Sequence, residues 1–379
     1  MFHQIIKYFF TFITLIADLK RQLDSTSWQI KLAKEFVCIL ALATATQFGS
    51  ALPAYSKVLR MDQIDLASKH YPYLYQWSDP ATKPKAIVIA LHGITMHGLT
   101  YDHLAYHLAE EGTLVLSPDL PGSGRRWQID SVSFVKAEEE LVEIIQSVKK
   151  TYKDLPVICL GESLGANLAL SIAEAHPELV DGIILSSPAL KRRVNVTPKT
   201  VVGSVNMLVG LVKTDTVVDL SPYMRAYASD DPAIVQTMIN DPLIHRQIKS
   251  QGLWDSCNAM KSVIKQAKLI SKTTPILIIQ GSQDRILKAD AIIKLVSSLG
   301  SQDQTLKWLN NCGHVILEEC QPRADVLQTI DEWFKTHIDR SVVEVKSNDF
   351  SAVTSSLPPL PRAGLDTRID SDSRLVSSQ

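Results

Sequence analysis

A serine flanked by two glycines carries the clearest chemical signal in the sequence. Gly161, Ser163 and Gly165 form the pattern G-x-S-x-G, which directly follows the apolar run at residues 157–160 and precedes a stretch of small and apolar residues. A strand-to-helix turn of this kind leaves little room for neighbouring side chains and exposes the serine hydroxyl at the carboxyl end of the strand. The pattern by itself also fits a plain turn, so a nucleophile at Ser163 requires suitable partners elsewhere.

The partners follow later in the chain. A serine hydroxyl is a weak nucleophile, and it needs a base and a carboxylate that orients the base. Asp284 follows the apolar run at residues 275–279, and His314 lies in a glycine-containing loop after the strand-like segment 305–309. Taken singly, the aspartate fits a turn or helix cap and the histidine fits a core or surface position. Their order, each beyond a strand, predicts a catalytic triad with Ser163.

Short apolar runs alternate with helical patterns and predict how these residues are positioned. The runs are continuous and bounded by Gly, Pro or Asp, which is typical of central strands in a parallel sheet; they lie at 86–91, 113–117, 157–160, 183–185 and 275–279. Helical spacing is found at 98–111, 131–152 and 164–176, and weaker strand signals lie at 71–77 and 305–309. The alternation predicts an α/β fold with a mostly parallel, doubly wound sheet.

The regular alternation stops between residues 190 and 272. This segment lacks a strong strand signal and contains an apolar stretch at 201–212. We interpret residues 190–272 as a helical cap inserted into one core, which is formed by residues 61–189 and 273–340. The chain is long enough to bury such a core, because α/β folds of about 250 residues often form a single domain.

The loop after the first central strand adds a resemblance to a known family. Its residues, with those of the next loop, are His92, Gly93, His97, Tyr101, Pro118, Asp119, Gly122, Ser123 and Gly124. Together with the serine, acid and histidine motifs, this segment resembles the monoacylglycerol lipase and lysophospholipase branch of the α/β-hydrolases, which is grouped with the serine aminopeptidase S33 class. The resemblance covers about residues 70–338.

The resemblance implies hydrolysis of a carboxylic ester, typically with a lipid-like acyl chain, under a cap and through an acyl-enzyme. In the related fold, backbone N–H groups form an oxyanion hole, and they correspond here to Ile94 and Leu164. No metal or organic cofactor is implied. The sequence departs from the family pattern at two places. Glu162 stands where the lipases usually have histidine, and Arg125 and Arg126 follow Gly124 where the lipases usually have serine or a similar small residue.

Three alternatives differ in their chemistry. A serine peptidase or amidase would share the triad and differ only in its pocket, so the preference between esters and amides stays open. A non-catalytic binding protein would ordinarily have lost a triad member. An epoxide hydrolase or dehalogenase would carry aspartate in place of Ser163. The substrate, the acyl length and the oligomeric state are not fixed by one sequence.

Composition narrows the range of partners. The chain has 39 basic and 40 acidic residues and a formal net charge of −1, so no overall field favours nucleic acid. Its five cysteines show no CxxC spacing, and the sequence has no metal-ligand cluster or phosphate-binding glycine loop. The predicted partner is a small-molecule ester, and the predicted site contains no metal.

The two ends differ from the middle of the chain. Residues 1–60 form an apolar leader with a run at 36–46 that follows two lysines. This leader fits an export signal, a membrane anchor or a helix packed on the domain, so location in the cell envelope and location in the cytoplasm both stay open. Residues 341–379 are rich in Ser, Pro and Asp and predict a disordered tail.

Overall fold

An eight-stranded sheet organises the residues that the computed structural model describes, which are 58–190, 216–229, 231–318 and 322–338. The spatial order of its strands is β1-β2-β4-β3-β5-β6-β9-β10. Strands β1 and β2 form an antiparallel hairpin at one edge, and β2 is antiparallel to β4; the remaining neighbours are parallel. In chain order the sheet strands are β1 (Leu59–Leu66), β2 (Lys69–Ser78), β3 (Ala86–Leu91), β4 (Thr113–Pro118), β5 (Val157–Glu162), β6 (Gly182–Ser186), β9 (Ile276–Gly281) and β10 (Gln304–Leu309).

The five continuous apolar runs become β3, β4, β5, β6 and β9, and every residue of these strands is buried. Helices cover both faces of a sheet of this kind. Side chains on both faces of the central strands are therefore buried from water, which explains why these strands are continuously apolar. The prediction of an α/β fold with a mostly parallel sheet is therefore confirmed. The weaker strand signals correspond to β2 and β10.

Helices precede or follow most strands of the sheet. In the described residues the α-helices are α1 (Asp102–Glu110), α2 (Phe134–Thr151), α3 (Leu164–Ala175), α4 (Ser221–Tyr227), α5 (Pro232–Asn240), α6 (Ser250–Ala267), α7 (Ala289–Ser298) and α8 (Ala324–His337). In α2, Leu141, Ile144, Ile145 and Val148 recur at helical spacing and are all buried. The hydroxyl of Ser133 accepts a hydrogen bond from the backbone N–H of Lys136 and caps the helix at its start.

The segment between β6 and β9 departs from the expected all-helical cap. Two short antiparallel strands, β7 (Val217–Asp219) and β8 (Gln247–Lys249), frame α4 and α5. The end of α6 packs into the main core through Val263 and Ala267. A periodicity test on the sequence misses strands of three residues, because so short a segment contains barely one alternation.

Several expectations fall outside the described residues. They are the apolar stretch at 201–212, the leader up to residue 57 and the whole of the tail at 341–379. Within the part that is described, no helix combines the length and apolar character needed to cross a membrane.

The packing of α2 generates a stability prediction. Ile145 is fully buried in the main core, whereas Val135 in the same helix is 68% exposed. We expect Ile145→Ala to lower the free energy of unfolding by about 2–5 kcal/mol, because it removes apolar contacts and leaves a cavity. Val135→Ala should change it by no more than about 0.5 kcal/mol. Urea unfolding of both variants checks this, and equal effects would contradict the packing described.

Candidate active site

Ser163 occupies the sharp turn between β5 and α3. Its backbone has φ 54° and ψ −113°, a conformation that non-glycine residues rarely adopt. The turn passes close under the loop after β3, where a Cβ on Gly165 would lie 1.9 Å from the carbonyl oxygen of Leu91. Glycine is therefore required at position 165, and the turn leaves the side chain of Ser163 only half-buried. Its hydroxyl lies at the carboxyl edge of the sheet.

The structure brings the three predicted triad residues together. The His314 Nε2 lies 3.0 Å from the Ser163 Oγ, and the His314 Nδ1 lies 2.8 Å from the Asp284 Oδ2. The Asp284 carboxylate can only accept a hydrogen bond, so the His314 Nδ1 carries the proton and donates it. The Nε2 is then unprotonated and can accept a hydrogen bond from the Ser163 hydroxyl. This is the arrangement in which an imidazole can take a proton from serine.

Asp284 is held by four hydrogen bonds in the turn after β9. Its Oδ1 accepts from the backbone N–H groups of Ile286 and Leu287 at 2.7 and 2.9 Å, and its Oδ2 accepts from Gln280 Nε2 at 2.9 Å as well as from His314. Burial alone would raise the pKa of Asp284, but the charge of His314 and these hydrogen bonds outweigh it and lower the pKa from 3.8 to about 2. The carboxylate is thus ionised beside the imidazole.

A close contact between two loops places the histidine against the acid. Gly281 ends β9, and a Cβ on it would lie 2.1 Å from the carbonyl oxygen of Gly313. The absence of a side chain at Gly281 lets the loop that carries His314 pass directly over the loop that carries Asp284. The backbone N–H of Gln283 also donates to the carbonyl of Cys312 at 2.9 Å.

The loop after β3 approaches the same point. The buried His92 lies with its Nδ1 2.8 Å from the carbonyl of Gly93, and its Nε2 accepts the backbone N–H of Leu120 at 3.0 Å. Burial lowers the pKa of His92 to about 4, so the ring is neutral and braces the loop. A Cβ on Gly93 would lie 3.6 Å from the Cβ of Ser163. Ile94, the predicted oxyanion donor, follows in this loop, and Leu164 begins α3.

The unexpected Glu162 is buried, and its side chain binds the histidine loop. Its Oε1 accepts from the Ser186 Oγ at 2.6 Å and from the backbone N–H of Ile316 at 2.8 Å. The N–H of Leu317 lies 3.2 Å from both carboxylate oxygens, and the N–H of Glu318 lies 3.1 Å from Oε2. One carboxyl beside Ser163 therefore caps three successive backbone N–H groups in the loop after His314.

Glu318 is a second buried acid, which sequence reasoning missed. Its Oε1 accepts the backbone N–H of Gly93 at 2.6 Å, and its Oε2 lies 3.1 Å from the Thr100 Oγ1. It thus connects the histidine loop to the loop after β3. A glutamate four residues after the histidine carries no signal in one sequence, because only the folded loops show what it contacts.

Parts of the segment between β6 and β9 contact both loops. The Nε2 of His97, a buried residue of the loop after β3, lies 3.0 Å from the Asp241 Oδ2. The backbone N–H of Val315 donates to the carbonyl of Ala228 at 3.1 Å. Apolar side chains from the two loops and from this segment form one cluster, whose buried members are Met96, Met224, Ala228, Met238, Ile244 and Val315.

The two arginines that depart from the family pattern form ion pairs away from the triad. Arg126 lies 2.6 Å from Glu140 and also pairs with Asp130. Arg125 pairs with Asp62 at 3.3 Å. These ion pairs give the two arginines a structural role that involves no contact with Ser163, Asp284 or His314.

Comparison with known proteins agrees with this architecture. Residues 82–321 match the family model described as serine aminopeptidase, S33. The chain is 28% identical over 279 residues to a monoglyceride lipase of Rattus norvegicus, covering 72% of this chain and 89% of the relative. It is 23% identical over 257 residues to a phospholipase of Bacillus subtilis, covering 66% and 96%.

Among solved structures, the chain is similar to a monoacylglycerol lipase of Paleococcus ferrophilus, with a TM-score of 0.59 and 24% identity over 70% of this chain and 98% of that one. That likeness concerns the fold. The family match spans more than half of the chain and includes Ser163, Asp284 and His314. The chain therefore belongs to the serine aminopeptidase S33 family of α/β-hydrolases, in the branch that resembles the monoacylglycerol lipases.

Proposed function

We propose that this protein is a serine hydrolase that cleaves carboxylic esters with lipid-like acyl chains, of the monoacylglycerol or lysophospholipid type. The hydrogen-bonded series from Ser163 through His314 to Asp284 is the observation that carries the proposal. The names of the similar proteins, lipase and phospholipase, support an ester over an amide.

The proposed reaction proceeds through an acyl-enzyme. His314 Nε2 takes the proton of Ser163 as the Oγ attacks the ester carbonyl, and Asp284 stabilises the imidazolium that forms. The backbone N–H groups of Ile94 and Leu164 are the proposed donors to the oxyanion. His314 then returns the proton to the departing alcohol, and a water molecule activated by the same ring releases the acid. This route needs only groups of the chain, the ester and water.

The methionine-containing cluster is the proposed contact for the acyl chain. Met96 belongs to the loop after β3, which carries Ile94, and Val315 directly follows His314, so the cluster includes residues of both loops of the proposed site. Met224 contributes from the other side, with its Sδ 3.9 Å from the Thr95 Oγ1. Methionine side chains are flexible and apolar, which suits a surface that accepts chains of different length.

A serine peptidase or amidase is the alternative that the triad itself leaves open. Recognition of a free amino terminus calls for a carboxylate that faces the substrate. The buried carboxyls of Glu162 and Glu318, which belong to the loops around Ser163, are instead bound to backbone N–H groups. Parallel assays of acyl esters and aminoacyl amides separate the two functions, and faster turnover of the amides would refute the ester proposal.

Replacing the nucleophile gives the first functional prediction. Ser163→Ala should reduce ester hydrolysis by about four to six orders of magnitude and abolish covalent labelling by a fluorophosphonate probe, because no acyl-enzyme can form. The matched control is Ser171→Ala on the following helix, where the hydroxyl bonds to Glu138 and Gln266. Wild-type protein that does not label, or a Ser163→Ala variant that labels equally, would refute the serine mechanism.

Asp284→Asn should lower kcat by about 10⁴, because the amide no longer fixes the tautomer of His314. The same variant predicts a pH dependence of stability. Since the pKa of Asp284 is lowered from 3.8 to about 2, its ionised form stabilises the folded state. That contribution, about 2 kcal/mol, is complete above about pH 5 and is lost as the pH falls through about 2.

The stability difference between wild type and Asp284→Asn should therefore shrink by about 2 kcal/mol between about pH 6 and about pH 2. Urea unfolding at several pH values measures it. Asp154→Asn, at an exposed residue before β5, is the control and should show no comparable change. A difference independent of pH would contradict the proposed ionisation of Asp284.

The acyl-chain contact is tested with Met224→Gln, which keeps the length of the side chain and makes its end polar. We expect kcat/KM to fall about tenfold for a long-chain ester and to change little for an acetyl ester, because only the long chain reaches the cluster. Met61→Gln on the exposed part of β1 is the control, where the methionine is 44% exposed. Equal losses for both esters would argue against this position for the acyl chain.

A further inference from the structure

Two buried glutamates tie together the three loops of the site. Glu162 belongs to the nucleophile turn and binds the histidine loop, whereas Glu318 belongs to the histidine loop and binds the loop after β3. They are 2% and 5% exposed. The backbone N–H of Glu318 donates to the Glu162 Oε2 at 3.1 Å, so the backbone of one acid binds the carboxyl group of the other.

Ionisation of both carboxyl groups is disfavoured when both are buried in adjoining loops, because like charges repel strongly where water cannot screen them. We propose that the pair holds one proton, on Glu318, and that the ionised Glu162 is the positioning residue that fixes the His314 loop against the nucleophile turn. This positioning role rests on the hydrolase function proposed above. The assignment of the proton does not.

The hydrogen-bond partners of Glu162 favour its ionised form. The N–H groups of Ile316, Leu317 and Glu318 can only donate, and together they contact both oxygens of the carboxylate. The Ser186 hydroxyl adds a fourth donor at 2.6 Å. Protonating Glu162 would weaken this binding, since carboxylates accept stronger hydrogen bonds than carboxylic acids.

The partners of Glu318 favour a proton on Oε2. Its Oε1 accepts the N–H of Gly93 at 2.6 Å, while its Oε2 faces the Thr100 hydroxyl. That hydroxyl has one hydrogen, and the carbonyl of His97 accepts it at 2.7 Å. The oxygen of Thr100 is then left to accept, so a hydrogen on Glu318 Oε2 completes the pair.

The titratable groups that face the pair are His314 and Tyr101, besides the two acids themselves. The Tyr101 hydroxyl is hydrogen-bonded both to Glu318 and to the carbonyl of Leu91 at 2.9 Å. Because its one hydrogen is donated to that carbonyl, its oxygen is left to accept from a protonated Glu318. Burial and the charge of Glu162 raise the pKa of Glu318 well above its usual range. Burial also raises the pKa of Glu162 on balance, although the Ser186 hydroxyl, His314 and the backbone N–H groups oppose that effect.

Infrared difference spectroscopy on the full chain tests the assignment of the proton. At neutral pH, the spectrum of wild type minus that of Glu318→Gln should contain the carbonyl band of a protonated carboxylic acid. A difference spectrum with carboxylate bands in its place would overturn the assignment. This measurement requires no catalysis, and it decides the question even if Glu162→Gln does not fold.

Kinetics with a short chromogenic ester and a fluorophosphonate test the positioning role. Glu162→Gln should lower kcat on the order of 10² while KM stays near the wild-type value, because an amide NH₂ that faces backbone donors displaces the His314 loop. The acid limb of kcat/KM should also move to lower pH, because the imidazolium loses a neighbouring negative charge. A merely structural role would not move this limb.

Glu318→Gln should cause a smaller loss in kcat than Glu162→Gln and leave the acid limb in place, since it removes no charge. Glu138→Gln on α2 is the matched control for activity. A shifted acid limb in Glu318→Gln, or an unshifted one in Glu162→Gln, would overturn the proposal. If wild-type protein neither labels nor hydrolyses esters, the proposed function fails, and the infrared result still decides where the proton lies.

Discussion

The site depends on one steric constraint, the passage of the nucleophile turn beneath the loop after β3. The space between Gly165 and the carbonyl of Leu91 is too small for any side chain, and the backbone of Ser163 adopts a positive φ at the same place. Strained backbone of this kind costs about 1–3 kcal/mol and persists only where the surroundings enforce it. The buried strands β3 and β6 on either side of β5 hold the turn in this conformation. The turn therefore depends on the parallel sheet.

Once the turn is fixed, buried carboxyls set the positions of the flexible parts around it. Asp284 binds the N–H groups of its own turn and orients His314, and Glu162 binds the N–H groups that follow His314. Loops are otherwise the least restrained parts of a fold. Since a buried carboxylate must be compensated by donors, each acid and the N–H groups that it contacts restrain one another. Apolar packing alone would not select a single loop conformation in this way.

The sequence was sufficient to predict the five buried strands, the helices α1 to α3 and the order of Ser163, Asp284 and His314 beyond those strands, because each depends on local patterns. Strand β1 was not predicted. Long apolar runs define buried strands, and the special turns carry glycine. The role of Glu162 could not be predicted, although its departure from the family pattern was visible. Glu318 gave no signal, since its function depends on contacts with residues more than 200 positions away. The short strands β7 and β8 were missed because three residues carry too little periodicity.

The segment between β6 and β9 contacts two loops of the site, the loop after β3 and the loop that carries His314. Asp241 meets His97 in the loop after β3, and the carbonyl of Ala228 accepts the N–H of Val315, the residue after His314. Entry of a long acyl chain between Met224 and Met96 would have to occur without breaking the contact at Val315, or the base would lose its position. The geometry therefore links the packing of the apolar cluster to the alignment of His314. If the proposed acyl chain binds at the cluster, a chain that leaves this packing intact should leave His314 in place, and one that distorts it should reduce kcat as well as binding.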